Sequence, residues 1–161
     1  MRSIVLWPDD MLRRKSEPVG AFDGELAALV AEMTAILDGE RGSGLAAVQI
    51  GVPVRLFVLH MDKEPPRVFV NPNIVQTSIS KVVYEEGCLS FRSVFSRVSR
   101  PRSVHVQACN AQGRPFRLEA DGWLARAVLH EYDHLDGIVY IDRLTEGKRR
   151  KVLADFARRS V

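Results

Sequence analysis

Apolar residues recur at helical spacing in three stretches of the chain. Over residues 25–37 they form one stripe: Leu26, Leu29, Val30, Met33 and Leu37. Asp23 precedes this stripe as a candidate N-cap. A second stretch covers residues 123–129, with Asp121 as its N-cap and Gly137 as its stop signal. A third covers about residues 145–159, so the pattern predicts three helices.

Runs of alternating or β-branched residues between these helices indicate short strands. They cover residues 54–60, 68–70, 74–77, 81–84 and 104–109. Asn71-Pro72-Asn73 is expected to break two of these strands apart, and residues 110–113 predict a hairpin turn into a strand over 115–119. A further short strand is expected over residues 138–141. We therefore predict an α+β fold, with short, mostly antiparallel strands packed around the second helix, and an N-terminal and a C-terminal helix.

The length of 161 residues suits one compact domain, and neither a repeat nor a linker marks a boundary, so a single domain over residues 1–161 is expected. Residues 1–20 predict an irregular arm ahead of the first helix. No apolar run approaches the roughly 20 residues that span a bilayer. The first ten residues are unlike a signal peptide. We expect a cytoplasmic protein with no membrane association.

The formal charge of +3 and the pI near 9.1 are mildly basic. The excess lies in two groups: Arg92, Arg97, Arg100 and Arg102, and the C-terminal Lys148, Arg149, Arg150, Lys151, Arg158 and Arg159. Such groups can contact RNA or an anionic surface, although a solvated face is the commoner explanation. No DNA partner is expected, and we expect a monomer.

The second predicted helix contains the pattern H-E-x-x-H, which is typical of metal sites. His130 and His134 would lie one turn apart on one face, where two imidazoles can share a metal ion. Glu131 is positioned to take a proton from water at such an ion without binding the ion itself. The five-residue pattern alone is weak, because it also occurs by chance.

A third ligand is expected from one of the two cysteines. Cys88 is the better candidate, because Gly87 lets the backbone approach the site and a thiolate binds borderline divalent metals strongly. Cys109, within an alternating strand, is expected to be a small apolar residue. A disulfide between them is disfavoured by a reducing compartment. His60 and His105 are expected to be surface or packing residues.

Residues 42–51 contain small residues that allow the backbone to run close to another group. The simpler alternative to such a functional role is that residues 42–51 form a plain turn between a helix and a strand. A phosphate-binding loop fits poorly, because no Lys-Ser or Lys-Thr follows. Gln49 is the polar side chain of this segment that is positioned for chemistry.

Three segments together resemble the motifs of the peptide deformylases, in the order of that family. They are Gly42-Ser43-Gly44-Leu45-Ala46-Ala47-Val48-Gln49, Glu86-Gly87-Cys88-Leu89-Ser90 and His130-Glu131-Tyr132-Asp133-His134. The resemblance implies an enzyme that removes the formyl group from the N-terminal formyl-methionine of new polypeptides and releases formate. It also implies Cys88, His130 and His134 as metal ligands, with Fe(II) as the typical ion and zinc, nickel or cobalt as substitutes.

The same resemblance implies roles for the residues around the metal. Glu131 would act as general base and then general acid, while the Gln49 amide and the Leu89 N–H stabilise the oxyanion. The peptide backbone would pair with the segment around Gly44, which brings in Ser43 and Leu45, and with the segment after Ser90. Val128 and Leu129 would line the methionine pocket, although both also fit a plain helix core.

Four departures from the family pattern bear on peptide binding. Ser43 and Leu129 replace an aliphatic residue and a glutamine, Phe91-Arg92 replaces an aliphatic residue and proline, and Phe95 lies near a common arginine position. None affects Glu131, Gln49 or the expected ligands, so hydrolysis should survive. Peptide affinity and substrate preference are the properties on which these departures bear. The chain is thus expected to be a deformylase, or a divergent second copy with weaker or altered activity.

The same residues support two competing functions less well. A zinc endopeptidase with H-E-x-x-H needs a third ligand downstream, and no histidine follows Gly137. A non-catalytic metal-binding or ribosome-associated module would need neither Glu131 nor Gln49. In related enzymes the C-terminal helix can dock on the ribosome, but here Val152, Leu153 and Phe156 give it an apolar face that suits packing on the domain.

Overall fold

The fold consists of three α-helices and seven strands, in a computed structural model that describes residues 1–159 and omits the last two residues of the expected domain. The helices are α1 (Gly24–Gly39), α2 (Gly122–Leu135) and α3 (Glu146–Arg159). The strands are β1 (Gly44–Ala46), β2 (Leu56–Leu59), β3 (Arg67–Thr77), β4 (Lys81–Glu86), β5 (Ser96–Pro101), β6 (Ser103–Cys109) and β7 (Pro115–Asp121). The α+β class is confirmed, with both terminal helices present.

The strands form two antiparallel sheets. The larger has the order β1-β2-β3-β6-β7, and the smaller is the ribbon β4-β5. β1 is an edge strand of the larger sheet and pairs with β2, with Leu45 opposite Val58. The predicted hairpin between β6 and β7 is present, and its turn is closed by a hydrogen bond from the Gly113 N–H to the Asn110 carbonyl at 3.0 Å.

Helix α2 lies at the centre of the molecule, packed against both sheets. Its residues Val128 and Leu135 are fully buried in a core cluster with Phe57 of β2 and Val106 of β6. The predicted stop is present: Gly137 has φ +74°, and a Cβ there would lie 2.5 Å from the Arg13 carbonyl oxygen. A left-handed, side-chain-free residue is therefore required where the chain leaves α2.

The terminal helices pack largely as their apolar stripes predict. Asp23 caps α1 by accepting a hydrogen bond from the Leu26 N–H at 3.1 Å. In α3, Val152 and Phe156 are buried in a second core cluster that includes Phe91 and Tyr140. The apolar face of α3 is thus used within the domain. No helix among residues 1–159 is long and apolar enough to span a membrane.

The strand predictions need correction at four places. Asn71-Pro72-Asn73 does not break a strand: β3 is continuous, and its pairing with β6 shifts register between Val70 and Asn73 as at a bulge. β1 and β5 were not predicted as strands. Residues 138–141 form no strand, and a 3₁₀ turn over Tyr140–Arg143 begins there. The 1–20 arm is irregular except for a short 3₁₀ turn, Asp10–Arg13, and a bridge from Glu17 to Val54.

Candidate metal centre

Three potential metal ligands converge beside helix α2. One ligand atom each from Cys88, His130 and His134 lies within 4.8 Å of the others, and all three side chains are buried. The Cys88 Sγ is 3.5 Å from the His134 Nε2. The histidines come from successive turns of α2, while Cys88 follows the end of β4.

The cluster contains Cys88 and not Cys109, which is half-buried on β6 against another part of the core. Both thiols are free, as expected. A thiolate with two imidazoles suits a borderline divalent ion, and three protein ligands leave a position for water or substrate, the pattern of catalytic metal sites. The donor set therefore fits a single metal ion.

Glu131 is buried beside the cluster. Its Oε2 lies 3.9 Å from the His130 Nε2, and its Oε1 has no hydrogen-bond partner among residues 1–159. Burial raises the pKa of Glu131 to about 7, although the charge of His130 opposes that rise. A carboxyl group with this pKa can both accept and return a proton near neutral pH.

The absence of a side chain at Gly44 makes room for this carboxylate where β1 passes close to α2. A Cβ on Gly44 would lie 2.6 Å from the Glu131 Oε2 and 3.0 Å from its Cγ. A residue without a side chain is therefore required at Gly44 for steric reasons.

Gln49 is held in one orientation by its neighbours. Its Oε1 accepts a hydrogen bond from the Ala46 N–H at 2.9 Å, so its Nε2 is directed to the other side. The Nε2 donates to the Ser90 Oγ at 3.0 Å and approaches the Cys88 Sγ to 3.6 Å. An amide donor is thereby fixed at the edge of the cluster.

A buried charge network supports the histidines, and the sequence pattern did not predict it. The His130 Nδ1 is 2.8 Å from the Glu86 Oε1. Arg100 donates to both Glu86 oxygens, at 2.6 and 3.0 Å, and to Asp133 at 3.0 Å. Arg126 donates to the Glu86 Oε2 at 2.5 Å. Burial would raise the pKa of Glu86, but hydrogen bonds from His130 and Arg100 lower it to about 2.

This network corrects the interpretation of the basic residues. Arg100, counted among those on a solvated or RNA-binding face, is 4% exposed and is bound by two carboxylates. Glu86 stands within the second motif, so its position was available from the sequence. No local pattern identifies Arg100 or Arg126 as buried.

A cavity of about 170 Å³ opens beside the cluster. Of the predicted substrate residues, Ser43 and Gly44 line it, as does Leu89. Leu45, Val128 and Leu129 do not: Leu45 and Val128 are fully buried in the core, and Leu129 packs at its margin.

From α2, the cavity is lined instead by Trp123, Arg126, Ala127, His130 and Glu131. Val128 and Leu129, which were expected to line a methionine pocket, are not among the residues that line this cavity and pack with the core instead. Phe95 lines the cavity beside Gly87, whereas Phe91 is buried under α3.

The fold and this site define a class: an α+β protein with a candidate mononuclear metal centre on an H-E-x-x-H helix. A sequence profile of the polypeptide deformylase family matches residues 1–150. The chain is 40% identical to the peptide deformylase of Brucella suis biovar 1 (strain 1330) over 160 residues, covering 97% of this chain and 91% of that protein. It is 44% identical to that of Treponema pallidum (strain Nichols) over 142 residues, covering 88% and 87%.

Solved structures agree with these sequence relatives. A peptide deformylase from Legionella pneumophila superposes with a TM-score of 0.95 at 37% identity, covering 99% of this chain and 95% of that one. One from Synechococcus elongatus, in complex with actinonin, gives 0.94 at 34% identity, covering 97% and 88%. The chain belongs to the polypeptide deformylase family of metal-dependent enzymes.

Proposed function

We propose that the protein removes the N-formyl group from the formyl-methionine at the start of newly made polypeptides and releases formate. One observation carries the proposal: a buried carboxylate, Glu131, stands next to a convergent Cys88, His130 and His134 cluster in a member of this family. An intact proton carrier beside the ligands favours catalysis over metal binding alone.

In this proposal Cys88, His130 and His134 hold one divalent ion. The resemblance favours Fe(II), with zinc, nickel or cobalt as substitutes, and the mixed sulfur and nitrogen donor set suits each of these. When bound, the ion supplies Lewis acidity toward water and toward the formyl oxygen. Burial lowers the pKa of His134 well below its usual value, which favours the neutral, ligating form of that imidazole.

Glu131 is the proposed proton carrier. Its unpartnered Oε1 accepts the proton that water loses as it attacks the formyl carbon. The same carboxyl group then gives this proton to the departing amine nitrogen when the C–N bond breaks. Burial, which raises the pKa of Glu131 in the metal-free protein, favours this carboxylate as a proton acceptor.

The Gln49 Nε2 and the Leu89 backbone N–H are the proposed donors to the oxyanion. The bond from Ala46 to the Gln49 Oε1 supports this role, because it fixes which end of the amide faces the cluster. Losing one such donor typically costs on the order of 10² to 10³ in turnover.

We propose that the peptide backbone adds to the outer edge of β1. The His60 N–H donates to the Ser43 carbonyl at 2.8 Å, so by alternation Ser43 and Leu45 direct their polar groups toward β2. The N–H and carbonyl of Gly44 then face away from β2, on the side of the cavity that Gly44 lines.

We further propose that residues 1–161 act as one catalytic domain and as a monomer in the cytoplasm, where the nascent chains are made. A contact between the basic residues of α3 and ribosomal RNA belongs to the same proposal. Lys151 and Arg158, whose side chains are 78% and 72% exposed, support it, although both also pair with Asp155.

The test is formate release from formyl-Met-Ala-Ser by protein loaded anaerobically with Fe(II). We expect Glu131→Ala to retain the metal and to lose most of the activity. Equal formate release by the variant and the wild type would remove Glu131 as the proton carrier. Absence of formate from the fully loaded wild type would overturn the proposed function itself.

A further inference from the structure

Two consecutive residues in the segment that follows Cys88 have left-handed backbone conformations. Arg92 has φ +51° and ψ +37°, and Ser93 has φ +56°. Residues with a Cβ rarely adopt this region, and they remain in it only where the surrounding structure holds them there. The turn lies between Leu89, a proposed oxyanion donor, and Phe95, which lines the cavity. A strained turn thus separates the proposed donor from a wall of the cavity.

This turn helps to orient the Leu89 N–H. That N–H and the Cys88 carbonyl belong to one peptide group, which is planar, so any contact that fixes the carbonyl also fixes the N–H. The Cys88 carbonyl accepts hydrogen bonds from the Phe91 N–H at 2.9 Å and from the Ser93 N–H at 3.0 Å. The second bond depends on the left-handed turn, because the φ and ψ of Arg92 direct the Ser93 N–H back toward Cys88.

Arg159, in the last turn of α3, holds the turn from outside the segment. Its Nη1 donates to the Arg92 carbonyl at 3.0 Å and approaches the Ser93 carbonyl to 3.4 Å. The Arg92 carbonyl shares a planar peptide group with the Ser93 N–H, so the guanidinium restrains the plane of that N–H. α3 is itself anchored to the domain by Phe156, which is buried in the second core cluster.

We infer that Arg159 is a positioning residue for the oxyanion donor at Leu89. Two linked peptide groups connect these residues: the guanidinium holds the group after Arg92, and that group holds the one between Cys88 and Leu89. The inference rests on the proposed function, because it takes the Leu89 N–H as a donor in the reaction. The end of the C-terminal helix thereby affects turnover, although Arg159 does not line the cavity.

The first measurement is formate release from formyl-Met-Ala-Ser by Fe(II)-loaded Arg159→Ala. We expect kcat to fall by about tenfold, which is less than the loss on the order of 10² to 10³ that follows complete removal of a donor, because the Phe91 bond to Cys88 remains. KM should change little, since an oxyanion donor acts mainly on the transition state. The melting temperature should also change little, because the apolar face of α3 stays packed.

Arg14→Ala is the control for the loss of one positive charge. Arg14 is exposed and lies outside the cavity, and its side chain has no hydrogen bond or ion pair with any part of residues 1–159. This variant should keep the wild-type kcat.

A glycine substitution distinguishes positioning from a general loss of structure. Glycine adopts the left-handed region without strain, so the turn needs less support in an Arg92→Gly protein. Arg159→Ala should therefore lower kcat much less in the Arg92→Gly background than in the wild type. If Arg159 only stabilised the domain, the more flexible glycine would leave its effect unchanged or larger. A tenfold loss that persists in the Arg92→Gly background would overturn the inference.

Hydrogen exchange in the metal-free protein separates this inference from the proposed function. The Ser93 amide should exchange about tenfold faster in Arg159→Ala, the effect expected from losing one charge-assisted hydrogen bond, while the amides of β6 keep their rates. Unchanged Ser93 exchange would overturn the inference alone, as would an unchanged kcat in a wild-type background that releases formate. Absence of formate from the loaded wild type would overturn the proposed function, and Ser93 exchange would then decide whether Arg159 holds the turn.

Discussion

Replacing Gly44 by alanine tests whether the position of the Glu131 carboxylate controls turnover. The new Cβ would lie 2.6 Å from the Glu131 Oε2, whereas ordinary contact begins at 3.4 Å, so the oxygen must move by about 0.8 Å. The φ of Gly44 lies outside the left-handed region, so alanine adds no backbone strain there. Misplacement of a catalytic group by about 1 Å can cost about a hundredfold in rate, which corresponds to about 2.7 kcal/mol.

We expect Gly44→Ala to lower kcat for formate release by about this factor, with little change in KM, because the Gly44 backbone groups remain. Metal stoichiometry should be unchanged, since none of the three ligands is touched. Gly39→Ala is the control: its Cβ meets nothing within 4 Å, and it should keep full activity. A folded, metal-loaded Gly44→Ala protein with unchanged kcat would refute the reasoning.

Two further predictions concern the ligands and the charge network. Cys88→Ser should weaken or abolish metal binding, whereas Cys109→Ser should leave stoichiometry unchanged; metal loss in the second variant would overturn the choice of thiol. Because the pKa of Glu86 falls from 4.5 to about 2 in the folded chain, its ionisation stabilises the fold above about pH 4.5, and this stabilisation is lost as pH falls toward 2. In metal-free protein, the free energy of unfolding measured with urea should fall by up to about 3 kcal/mol between pH 5 and pH 2.5. Glu86→Gln should lack this fall. Parallel pH profiles for the variant and the wild type would contradict the prediction.

The parts of the fold and of the site that the sequence predicted depend on short spacings. His130 and His134 are one turn apart in any α-helix, and the Asn110 to Gly113 turn closes on itself. Cys88 was chosen as the third ligand from its neighbour Gly87 and from thiolate chemistry, and the resemblance to a family motif then supported the choice.

The strand β5 could not be predicted because its inward positions are only half apolar. Val98 and Arg100 are its buried residues, and Ser99 between them is exposed. A hydrophobic pattern predicts that any arginine is exposed, since charged residues are rarely buried unless they are paired. The pairing that buries Arg100 comes from α2 and β4, outside the strand.

Long-range contacts also explain the wrong predictions at residues 138–141 and at Asn71. The apolar residues around Tyr140 are buried in a 3₁₀ turn, where the Tyr140 hydroxyl donates to the Val94 carbonyl at 2.6 Å. Asn71 tolerates φ +50° within β3, and its side chain pairs with the backbone of Val19. In both cases a partner more than 40 residues away decides the local conformation.

One guanidinium connects the two segments that carry the ligands. Cys88 and His134 are 46 residues apart, yet their Sγ and Nε2 atoms lie 3.5 Å from each other. Arg100 binds Glu86, two residues before Cys88, and Asp133, one residue before His134. Compared with well-packed apolar residues, such a buried network adds little to stability, because the cost of desolvating its charges offsets most of their mutual attraction. Its consequence is geometric: it joins the segment beside the thiol to the helix that carries the imidazole, through contacts that no local pattern in the sequence encodes.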